Sequence, residues 1–175
     1  MSGSAGGQSF TVTLAFAPAP AGPFPVNGAM SAQSLQTLTF VSAGASNSAV
    51  ETIYFDASSH IFFGLQADGL CSVASANTSL PTSAALGASG PIFSESDLDG
   101  CLGTSLAVGS TANTWSLVSD SGVALLCWDL TAKDPSGTPN GAESFCVEIA
   151  ADGTLGAKAR FSLTALGVTI TARNF

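Results

Sequence analysis

Apolar and polar residues alternate with a period of two along most of this chain, the pattern of strands that bury one face. Phe10, Val12, Leu14 and Phe16 share one side of a predicted strand, and Thr11, Thr13 and Ala15 share the other. Leu38 and Phe40 alternate with Thr37 and Thr39 in a second strand. Residues 51–55 form a third, turning at Asp56-Ala57-Ser58-Ser59 into 61–65 as a hairpin. Later strands are predicted over 102–108, 115–119, 157–164 and 168–172, and no long stretch has helical period.

The segment 115–150 organises this series. Val123, Leu125 and Cys127 share one face, while Ala124, Leu126, Trp128 and Leu130 share the other, so both faces are apolar and the strand is central. Phe145, Val147 and Ile149 alternate with Cys146 and Glu148. The connector carries Asp134-Pro135, Ser136-Gly137 and Asn140-Gly141, each a turn signal. If Cys127 and Cys146 face each other, the turn centres on Ser136 and Gly137, and a disulfide closes the hairpin. Asp68-Gly69, Asp99-Gly100, Asp120-Ser121-Gly122 and Asp152-Gly153 read as further hairpin turns. Residues 18–27 hold four prolines and read as an ordered loop or edge segment. The small, polar stretch 72–89 reads as a long loop or a short helix. Together these elements predict one all-β domain over 10–175, a β-sandwich or closed β-barrel of about ten antiparallel strands braced by disulfides. Residues 1–9 read as a flexible head, either the start left after a leader is removed or a native cytosolic start.

Composition narrows the function. Charged residues are 9% of 175, net charge is −8, and no lysine or arginine precedes Lys133. Nucleic acid requires clustered cations, so it is excluded as a partner, and an anionic membrane surface would repel the chain. Cys71, Cys101, Cys127 and Cys146 occur without any Cys-x-x-Cys and with a single histidine, which favours two disulfides over zinc. Of the three connectivities, Cys71–Cys101 with Cys127–Cys146 joins neighbours in a meander. Disulfides and the sequon Asn77-Thr78-Ser79 point to a secreted, extracellular or cell-wall protein glycosylated at Asn77.

The runs Phe10-Thr11-Val12, Ile53-Tyr54-Phe55-Asp56-Ala57-Ser58-Ser59, Trp115-Ser116-Leu117 and Phe145-Cys146-Val147 resemble the layout of small secreted cell-wall or surface β-proteins of filamentous fungi, including the phialide-associated type. The resemblance covers about half the chain. It implies a wall-associated role and brings no catalytic residues with it.

Candidate chemistry is sparse. Glu95, Asp97, Asp99 and Gly100 match the opening of a calcium loop, but Leu106 stands where its bidentate glutamate belongs, so calcium competes with a solvated acidic turn. Apart from calcium no cofactor is implied. His60 is the only imidazole available to a catalytic triad, and no Gly-x-Ser-x-Gly surrounds any serine. Asp129, beside Trp128, is the most suggestive acid for sugar chemistry. Phe62, Phe63, Trp115, Trp128 and Phe161 either line a cavity for an apolar ligand or fill a solid core. The expected function is structural or binding, without catalysis, through self-association or attachment to a wall polysaccharide. The opposed reading is a β-barrel enzyme or ligand carrier with His60 or an acid pair at its mouth. A hollow core favours the second.

Overall fold

A computed structural model describes residues 1–75 and 77–175. Twelve strands run β1 (Ser2–Ala5), β2 (Gln8–Pro23), β3 (Met30–Ser42), β4 (Ala45–Phe55), β5 (Phe62–Ala67), β6 (Leu70–Ala74), β7 (Ser89–Leu98), β8 (Ala107–Asp120), β9 (Val123–Lys133), β10 (Pro139–Ile149), β11 (Leu155–Ala165) and β12 (Val168–Arg173). Each pairs antiparallel with its sequence neighbours, and β1 pairs with β12, closing a barrel. The expected barrel is therefore present, with sandwich geometry excluded and the strand count slightly higher than predicted.

Five hairpins close on two-residue turns in which both residues have positive φ: Gly6-Gly7, Ala43-Gly44, Asp68-Gly69, Ser121-Gly122 and Leu166-Gly167. Such turns match the right-handed twist of the flanking strands. Asp99-Gly100 is not one of them. Asp99 opens a longer loop, where its N–H donates to the Leu106 carbonyl and its carboxylate accepts the Leu106 N–H. Cys101 ties this loop back to Cys71, so the strand expected over 102–108 begins only at Ala107.

Two other expectations change. Residues 1–9 do not form a head: Ser2–Ala5 is β1, and Met1 exchanges backbone hydrogen bonds with Val12. The proline-rich segment continues β2 to Pro23, with the register shifting between Ala19 and Gly22. That irregularity accommodates Pro20, which has no N–H for the ladder.

Strand register divides the residues into two faces. Phe16 pairs with Gln36, Gln36 with Glu51, Asn113 with Leu130, Leu130 with Glu143 and Phe145 with Phe161, and all of these point into the barrel. On the β1, β2, β11 and β12 side the lumen is filled by a core of Phe10, Val12, Phe161 and Ala172. Phe40 reaches Phe161 from β3 with ring centroids 5.9 Å apart. Outward positions on β2–β4 are largely hydroxyl-bearing, including Thr11, Thr13, Thr37, Thr39, Ser48 and Thr52.

Two smaller cores lie outside the wall. Leu125, Cys127 and Cys146 are buried beneath Val118, Val123 and Phe175. The Cys127–Cys146 disulfide joins directly paired residues of β9 and β10, as the hairpin geometry required. Phe24, past the end of β2, packs on outward Tyr54 with centroids 5.0 Å apart. Both apolar faces of β9 are thus used, one toward the lumen and one beneath the chain terminus.

Candidate functional site: the barrel lumen

The barrel is hollow on the side away from its filled core. A cavity of about 280 Å³ lies between β2–β5 and β7–β10, with Leu14, Leu38, Ile53, Leu65 and Leu130 forming its aliphatic wall. Aromatic side chains complete it. Phe62 stacks on Phe93 at 4.7 Å, and Phe93 meets Trp128 edge to face at 5.7 Å. Trp128 stays 43% exposed although it points inward, because the lumen beside it is open.

Polar groups interrupt this wall at the same inward phase. The Trp128 indole N–H donates to Asn113 Oδ1 at 2.8 Å, Asn113 Nδ2 donates to Glu95 Oε1 at 2.7 Å, and the Ser72 hydroxyl donates to Glu95 Oε2. Thr111 donates to Asp97 at 3.1 Å. Gln36 Nε2 stands 3.4 Å from Glu51, and no hydrogen-bond partner meets the Glu143 carboxyl among the described residues.

Burial raises all four of these acids above their ordinary range. For Glu95, desolvation outweighs the lowering effect of its hydrogen bonds to Ser72 and Asn113. The Glu143 carboxyl is pushed up to about 7, first by burial and then by the charge of Glu51. A carboxyl poised there, facing a second carboxylate, can hold or pass a proton near neutrality or pair with a cation.

The four bases lie elsewhere. Lys158 pairs with Glu148 at 3.4 Å, and Arg160 and Arg173 both meet Asp120, at 3.0 and 3.4 Å. These partners and Lys133 occupy the phase opposite to Leu130, Phe145 and Phe161, so every base lies outside while the only charged side chains on the inward phase are acids.

A second cavity, about 490 Å³, lies at the end of the barrel under the β6–β7 loop. Leu80 and Leu86 from the loop face Trp115, Leu117, Leu126 and Ile149. Trp115 and Trp128 are cross-strand partners, and each lines a different cavity. Asn77 anchors the loop, its amide oxygen accepting the Phe62 N–H at 3.0 Å while its nitrogen donates to the carbonyls of Phe62 and Ser75. The sequon asparagine thus does structural work in a backbone-like pairing.

Other residues singled out in the sequence fall outside the lumen. His60 is exposed in the β4–β5 turn at φ 56° and stacks on Phe55. Asp129 points outward, accepting hydroxyls of Ser116 at 2.6 Å and Ser144 at 2.5 Å. Phe63 occupies an irregular position of β5 and does not line the cavity. Glu95 and Asp97 do point inward, but alternate residues of one strand stand roughly 7 Å apart, which separates them where a calcium loop would converge them. Asp99 is engaged in its own loop, and no group of three potential metal ligands occurs among the described residues.

Sequence reasoning missed Glu51 and Glu143. The available signal was phase: Glu51 alternates with Ile53, and Glu143 with Phe145, so each acid shares a face with apolar neighbours. Fold and site together define a hollow, up-and-down β-barrel whose apolar lumen carries carboxylates. The chain matches no protein-family model, no curated protein and no solved structure.

Proposed function

We propose that this protein is a binding barrel that holds a small, largely apolar ligand in its lumen. The observation that carries this reading is the 280 Å³ cavity, walled by inward aliphatic and aromatic side chains and enclosed by strands on opposite sides. A barrel meant only as a brace would fill that space, because each unfilled methylene forfeits packing energy. Ligand pockets combine such walls with a few placed polar groups, as the Trp128–Asn113–Glu95 chain does here.

Association through free sheet edges loses its physical basis, because the β1–β12 pairing closes the ring. The hydroxyl-bearing outward positions of β2–β4 differ from the apolar band by which membrane barrels meet lipid, which supports a barrel working in water. Two disulfides are consistent with an extracellular setting, and secretion is part of this proposal.

Calorimetric titration with 1-naphthylmethanol, a neutral two-ring aromatic, tests the reading. Saturable binding at one site is expected, and Ala49→Trp, which adds a ring to the cavity wall, should abolish it. No binding to the native protein, or unchanged binding to the Ala49→Trp variant, would refute it.

A further inference from the structure

Resting on the binding-barrel reading, we infer that the lumen's ligand is an organic cation: a protonated amine on an apolar or aromatic body, with its ammonium seated against Glu143 and Glu51.

Three features of the molecule support this class. The first is the sorting of charge. The side chains that line the cavity include three glutamates and no base, while all four lysines and arginines lie on the outward phase. An anionic ligand would meet only repulsion there. A neutral ligand would leave the charge of the wall uncompensated.

The second is the uneven use of the lumenal acids. Ser72 and Asn113 occupy both oxygens of Glu95, and Thr111 engages Asp97. Glu51 has only the long contact to Gln36, and Glu143 has none among the described residues. The two acids with spare acceptor capacity come from opposite walls, β4 and β10, and the charge of Glu51 raises the Glu143 carboxyl. One ammonium has three donors and a positive charge, which suits two facing acids better than water or a hydroxyl does.

The third is the lining beside them. Phe145 shares the inward face of β10 with Glu143, and its cross-strand partner is Trp128. Aromatic faces next to carboxylates attract ammonium groups and also accept the apolar body to which the ammonium is attached. A bare metal ion would have no use for this wall, and no three ligating groups converge for it among the described residues.

Binding of such a cation requires Glu143 in its charged form. Glu51 and Glu95 are the other titrating groups that line the cavity, Asp97 points inward beside Glu95 without lining it, and Tyr54, Asp120, Asp129, Lys133 and Glu148 stand on the outward phase of the same strands. The three lining carboxyls ionise more readily once a cation is present.

The test compares two isosteres, 1-naphthylmethylamine and 1-naphthylmethanol, by calorimetry at pH 8. The amine should bind about tenfold or more tightly than the alcohol. Glu143→Gln and Glu51→Gln should each remove most of that preference for the amine over the alcohol. With the Glu143 carboxyl near 7, lowering the pH from 8.5 to 5.5 should weaken the amine toward the alcohol's affinity and so remove most of the preference. Equal affinity for amine and alcohol, or a preference that survives in both variants, would overturn the inference while leaving the binding barrel standing. If neither compound binds, the binding-barrel reading itself fails, and this inference fails with it.

Discussion

Glu51 on β4 and Glu143 on β10 lie six places apart in either direction around a ring of twelve strands, yet the charge of Glu51 raises the Glu143 carboxyl. Both acids line the cavity, which lies on the side of the lumen away from the filled core of Phe10, Val12, Phe161 and Ala172.

This relationship predicts an acid-shifted stability profile. Glu143 holds its proton to about pH 7 when folded, against an ordinary value of 4.5, so the folded state binds a proton that the unfolded chain releases. Its contribution is complete below the unfolded value and is lost as pH rises through 7, a change on the order of 3 kcal/mol. Glu51, Glu95 and Asp97 act in the same direction. Asp56, Asp120, Asp134 and Asp152 act oppositely: their carboxyls are held below 3.8 by hydrogen bonds, and their contribution disappears in stronger acid. The thermal midpoint of the ligand-free protein should peak at about pH 4–5 and fall toward pH 8. Glu143→Gln should flatten that fall. A midpoint that rises from pH 5 to pH 8 would show that the lumenal acids are not buried as described.

Closure of the ring predicts what removal of its first strand would do. β1 is short, but it pairs with β2 and β12 at once, and Met1 adds backbone bonds to Val12. Deleting residues 1–7 uncovers the start of β2 and the end of β12. Few charged side chains guard these edges, apart from Arg173. The shortened chain should gain mass with concentration in light scattering, whereas the intact chain gains none by edge pairing. Identical scattering from both chains would contradict the closing role of β1.

Much of the fold was legible because phase and turn chemistry are local properties. The alternation at Phe10–Phe16, the Asp68-Gly69 and Ser121-Gly122 turns and the Cys127–Cys146 pairing all follow from residues close in sequence. β1 was missed because Ser2–Ala5 has no apolar alternation; its strand conformation depends on β2 and β12 alone. β7 was missed because Glu95 and Asp97 broke its pattern at the inward positions that define the site. The chain states that Trp128 and Leu130 share a face, but only ring closure says that this face looks into a cavity while Asp129 looks out. The acid pair joins strands far apart in sequence, so no local spacing marks it.

The most direct test of a ligand-binding lumen is methyl NMR on selectively labelled Leu, Ile and Val during titration with 1-naphthylmethanol. Leu14, Leu38, Ile53, Leu65 and Leu130 should shift together and saturate, because they line one cavity. Outward Leu35, Val41 and Val50, exposed on the same strands, should stay fixed. Shifts confined to those outward methyls, or to Leu80 and Leu86 over the end cavity, or no shifts at all, would contradict binding in the lumen.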